Sequence, residues 1–84
     1  MTYFVYLIKS ISLLKNKTYV GYTNNLNKRL ASHNENKGAK STKGYKWKII
    51  YKKKFNTKKK AMSYEYYLKK NRTLRKKIIN SEKW

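Results

Sequence analysis

Five side chains in this chain could act together on a phosphate ester: Tyr6, Tyr19, Arg29, His33 and Glu65. Glu65 stands out by scarcity, because 23 Lys and Arg face only three acidic residues, Glu35, Glu65 and Glu82, with no Asp. It lies four residues after Ala61 and three before Leu68, so in a helix it shares their inward face. A carboxylate there must meet a cation, which is either an ordinary Lys or Arg partner or a bound metal ion. Arg29 and His33 sit four apart and form one row along an earlier helix, flanking an apolar stripe. A guanidinium suits two-pronged phosphate binding, and it occurs here in a chain that otherwise prefers Lys. Its plain alternative is a solvated helix charge. Tyr6 and Tyr19 fall on two neighbouring strands and can share a face, although with nine tyrosines in the chain either is also accounted for as a packing aromatic.

Composition narrows the chemistry. Without Cys and with a single His, thiolate zinc sites, cysteine nucleophiles and histidine cages are excluded. Any metal must be held by oxygen, and magnesium or manganese suits one carboxylate completed by water and a substrate phosphate. A formal charge of +20 points to a polyanionic partner that offsets the self-repulsion of so small a molecule. An AT-rich coding bias would account for the excess of Lys over Arg, but not for the near-absence of acidic residues. A membrane surface fits less well, since the lysine runs adjoin no broad apolar helix face. The apolar run Tyr3 to Ile8 is too short to span a bilayer and ends at Lys9 without a cleavage pattern, which leads us to expect a cytoplasmic protein. With 84 residues we expect one domain, residues 1–84, around a single core.

The elements that must position these residues follow from periodicity. Residues 2–9 are apolar on both faces, Tyr3, Val5 and Leu7 on one side and Phe4, Tyr6 and Ile8 on the other, which predicts a central buried strand. Residues 17–22 return as an antiparallel partner. Asn24 or Asn25 then caps a helix to about residue 34 whose core stripe is Leu26, Leu30 and Ala31. Residues 35–46 read as a polar loop. Trp47, Ile49, Tyr51 and Phe55 alternate with Lys48, Lys52 and Lys54, predicting a third strand with one solvated basic face. A second helix starts at Asn56 or Thr57 and buries Ala61, Tyr64 and Leu68. A short terminal helix carries Leu74, Ile78 and Ile79. The fold class is α+β, a three-stranded antiparallel sheet flanked by helices in the order β-β-α-β-α-α.

Placed in that order, the residues form a known pattern. Phe4-Val5-Tyr6 stands at one signature tripeptide and Tyr19-Val20-Gly21 at a second, followed by Thr23-Asn24-Asn25, Arg29 and His33, with Glu65 on the later helix. The chain resembles the GIY-YIG nuclease superfamily over about its whole length. Residues 38–42, Trp47, the helix around Glu65 and the closing segment are similar to the small stand-alone bacterial members and to the catalytic subunit of structure-specific endonucleases. Phe4 departs from the first signature glycine, and Lys46 stands where relatives often have Pro.

The resemblance implies a metal-dependent DNA endonuclease, of use in DNA repair. Glu65 would hold one Mg2+ or Mn2+ and Arg29 would bind the charge developing on the phosphate. Tyr6 would serve as general base, with Tyr19 or His33 orienting the attacking water. For that, neighbouring positive charge must lower the phenol from its ordinary value. Gly21 would let helix and strand approach closely. Lys40, Lys43, Tyr45, Lys48 and Lys70 are expected to contact nucleic acid, with Tyr45 and Trp47 as stacking candidates and Trp47 the better fit to the core. Because Lys grips phosphate without reading bases, single-stranded or branched DNA is the expected substrate, with little sequence preference. The alternative is a non-catalytic basic module that binds DNA or RNA on the same fold.

Overall fold

Residues 5–8 are apolar on both sides, and all four are buried. In the computed structural model, which describes residues 2–11, 17–35, 37 and 44–81, they lie in β1 (Tyr3–Ser10), the middle strand of a three-stranded antiparallel sheet. β2 (Thr18–Thr23) pairs on one side, with Tyr6 opposite Gly21 and Ile8 opposite Tyr19. β3 (Trp47–Phe55) pairs on the other. Three helices complete the α+β order expected from the sequence: α1 (Leu26–Asn34), α2 (Lys58–Lys70) and α3 (Arg72–Ser81).

Alternation along β1 sorts the interior into two clusters. Val5 and Leu7 join Val20, Ala61 and Leu68 beneath α2 and α3, while Tyr6 and Ile8 join Trp47 beneath α1. The helix starts are set by side chains that the sequence offered. Asn25 Oδ1 accepts from Lys28 N at 3.1 Å, and Thr57 Oγ1 accepts from Lys60 N at 3.2 Å, each satisfying a backbone donor that the first turn leaves unpaired.

Two expectations fail. Ala31 is exposed, and the buried position on α1 belongs to His33. β3 does not keep one alternation from end to end. Leu7 faces Tyr51 but Ile8 faces Ile49, so Ile50 is an extra residue, a β-bulge that reverses which side chains point to which face. Trp47 and Ile49 therefore pack under α1, whereas Tyr51 and Phe55 pack on the side of α2. The lysines divide accordingly, with Lys48 on the α2 side and Lys52 and Lys54 on the side of Tyr6. No helix among the described residues is long and apolar enough to cross a membrane.

Candidate active site

The Tyr6 ring reaches from the central strand over β2 and lies above Gly21. A Cβ at Gly21 would stand 2.5 Å from the Tyr6 hydroxyl and 3.0 Å from the Tyr19 ring, so glycine is required to make room for a phenol rather than for a helix. Two residues of α1 meet that hydroxyl. Arg29 Nε donates to it at 3.1 Å, and His33 Nε2 lies 2.9 Å away. Four-residue spacing brings both from one row of the helix, as expected.

Burial then decides protonation. Tyr6 and His33 are 1% and 0% exposed. Enclosure, with Arg29 beside it, pulls His33 from 6.5 down to about 4, so its ring is neutral at pH 7. Enclosure likewise pushes Tyr6 from 10.0 up to about 12, against the opposing pull of the Arg29 hydrogen bond and charge. The sequence led us to expect the reverse, because it showed the cations and not the depth at which the phenol is set. Arg29 Nε has only a proton to give, so the Tyr6 oxygen accepts from it, while the tautomer of His33 sets which partner donates in the Tyr6–His33 bond. Arg29 is raised above its ordinary value, first by the bond to Tyr6, and Tyr19 adds to the effect.

Tyr19 completes the cluster from the edge strand. Its ring centroid lies 5.0 Å from His33 and 6.4 Å from Tyr6, and it is only partly buried. Beneath α1, the space bounded by Tyr6, Ile8, Leu26, Arg29, Leu30 and Ile49 has no room for a water molecule.

Glu65 sits on the flank of α2, which packs across β1 and β2. Its side chain is 18% exposed, and its Oε1 lies 3.2 Å from the Lys69 ammonium. The ordinary ion pair is therefore present. The Glu65 charge also reaches Tyr6, where it adds to the upward shift. Among the described residues no three His, Cys, Asp or Glu side chains gather as a metal cage, so Glu65 offers a single carboxylate. That donor set fits a hard divalent cation that keeps most of its water and takes further oxygens from a phosphate. Lys69 is half exposed and is free to swing aside.

The residues expected to touch nucleic acid fare differently. Lys40 and Lys43, with the segment 38–42, lie outside the described residues. Tyr45 packs 5.9 Å from the Trp47 ring with Lys17 Nζ 4.7 Å from its own centroid, and Trp47 is core at 3% exposure. Lys48 faces away from Tyr6, opposite Lys9. Lys70 is exposed at the end of α2, its ammonium 5.4 Å from the Tyr66 ring. Lys52 and Lys54, expected on one face with Lys48, lie instead on the Tyr6 face, since no sequence signal marks the bulge that separates them.

The chain is similar over most of its length to known proteins. The chain is 42% identical over 82 residues to the UPF0213 protein YazA of Bacillus subtilis, covering 96% of this chain and 80% of that protein. It is 40% identical over 81 residues to the UPF0213 protein CPE1444 of Clostridium perfringens, covering 94% and 84%. The solution NMR structure of the UPF0213 protein BH0048 from Bacillus halodurans superposes with a TM-score of 0.56 at 27% identity, over 98% of this chain and 86% of that one. The GIY-YIG catalytic domain matches residues 2–78. With that match spanning both signature tripeptides, the Arg29–His33 row and Glu65, the chain belongs to the GIY-YIG family.

Proposed function

We infer that this protein is a metal-dependent endonuclease hydrolysing phosphodiester bonds in DNA, single-stranded or branched forms above all, through one domain spanning residues 1–84 and acting in the cytoplasm. The family gives the coarser part, a nuclease-type function with nucleic acid as partner. The observation that carries the finer reading is the Tyr6 hydroxyl bonded to both Arg29 and His33 beside the partly buried Tyr19, within electrostatic range of Glu65.

Arg29 holds the phosphate and the charge that grows on it, pinned by Tyr6 so that little reorganises during reaction. The enclosure of Tyr6 makes it a positioning residue, its hydroxyl already bonded to His33 and accepting from Arg29. Tyr19, the more exposed phenol, gives up its own proton to solvent, and its phenolate then meets the attacking water and takes a proton from it as the bond to the 3′-oxygen breaks and that oxygen is protonated from solvent. Glu65 would hold the divalent cation, which when bound polarises a phosphate oxygen and stabilises the leaving oxygen. Lys52, Lys54 and their neighbours supply point charges without base readout.

The test is incubation of the purified protein with single-stranded, flapped, branched and long duplex DNA, with magnesium, manganese or chelator. Metal-dependent cuts on the first three, scattered in sequence, are expected. Intact DNA with every metal, despite binding, would leave a non-catalytic module; one discrete cut in a duplex would remove the predicted preference.

A further inference from the structure

The bulge at Ile50 brings two lysines to the face on which Tyr6 and Arg29 meet. Lys52 is paired with Tyr6 and Lys54 with Phe4, and directly opposed residues of an antiparallel pair point to the same side. α1 covers only part of this face, closing over Ile8 and Ile49 with Leu26 and Leu30. Lys52 and Lys54 are exposed, and Phe4 between them and β2 is partly buried yet belongs to neither apolar cluster. Lys53 shows the contrast. Pointing to the other side, it holds its ammonium 4.9 Å from the Tyr64 ring and 5.9 Å from that of Phe55. Among the described residues, Lys52 and Lys54 have no ion pair, hydrogen bond or ring to hold them.

We propose that Lys52 and Lys54 form a phosphate-binding strip that holds the DNA backbone next to the phosphate being cut. The proposal rests on the endonuclease reading, which puts that phosphate at Arg29 beside Tyr6. Gly21, beneath the Tyr6 hydroxyl, lies two strand spacings from Lys52, about 10 Å, and the two lysines lie about 7 Å apart along β3. Each therefore has room for its own phosphate beside the one at Arg29. An ammonium on a flexible stem grips such oxygens without selecting bases, so the strip fixes the register of the backbone and leaves sequence unread.

The test compares Lys52→Gln/Lys54→Gln with Lys53→Gln/Lys60→Gln, which removes equal charge from the opposite side, where Lys60 adjoins Phe55, Tyr64 and Tyr67. Affinity for a single-stranded oligonucleotide is measured across a salt series by fluorescence anisotropy, and thermal melting verifies that each variant is folded. Losing two phosphate contacts should flatten the log-log salt slope by about 1.4 in the first variant. The control should change by less than half as much, and Lys52→Arg/Lys54→Arg should keep the wild-type slope. Equal flattening in the two Gln variants would overturn the strip. Failure of the endonuclease reading looks different: wild-type protein that binds the oligonucleotide and leaves it uncut with either metal.

Discussion

At the scale of single residues, Glu65 separates catalysis from stability. Its partner Lys69 is half exposed, and such a pair contributes less than about 1 kcal/mol. Glu65→Gln should therefore melt close to wild type, bind DNA as well or better for want of a negative charge, and lose cutting. A folded, DNA-binding variant that still cuts at the wild-type rate would falsify its role as metal ligand. The two tyrosines should part company as well. Tyr6→Phe strips a buried partner from both His33 Nε2 and Arg29 Nε, a loss of about 1–3 kcal/mol, whereas Tyr19→Phe, at a partly exposed site, should leave melting nearly unchanged and stop turnover. Calorimetry with single-turnover rates on both variants decides this, and equal destabilisation would count against the division of roles. His33 adds an acid sensitivity. Its folded value of about 4 lies below 6.5, so the neutral ring's contribution is present in full above 6.5 and is lost as pH falls towards 4. Melting temperature should drop across that window, and His33→Asn should flatten the drop.

Elements place these side chains, and two positions test how. The Asn25 cap starts α1 one turn before Arg29 and two before His33. Asn25→Ala should cost about 1 kcal/mol and lower cutting by more than the loss of folded protein explains, because the first turn carries Arg29. Gly21→Ala places a methyl where the Tyr6 hydroxyl now lies. With that hydroxyl tied to Arg29 and His33, the ring cannot yield without breaking both bonds. The expected outcome is lower melting together with loss of activity, and unaltered activity would show that the site does not need Tyr6 over β2. The helices themselves were legible because Asn25, Thr57 and the 3.6-residue spacing of Leu26 and Leu30, then Ala61 and Leu68, are local signals. The bulge in β3 was not legible. Trp47, Ile49, Tyr51 and Phe55 keep period two across it, and only pairing with β1 shows that Ile50 is unmatched.

For the whole molecule, charge dominates binding. A formal +20 spread over both faces makes affinity fall steeply with salt, and with five or six phosphate contacts the log-log slope on duplex DNA should be about −4.5 to −5.5. A slope near zero in a titration series would point to stacking or to a protein partner instead. On the endonuclease reading, each acidic residue placed near Arg29 would compete with the phosphate bound there.

The sequence by itself determined the element order, the central strand and the family pattern, and narrowed each helix cap to two neighbouring residues, because each rests on neighbours a few residues apart or on bare composition. It also brought Arg29 and His33 to one side of one helix. Only the tertiary structure decided protonation and access: the enclosure that raises Tyr6 and lowers His33, the partial burial of Tyr19 and the face taken by each lysine of β3. Those properties depend on what surrounds a side chain from distant strands and helices. Desolvation and strand register are set by contacts across the sheet, and no local spacing encodes them.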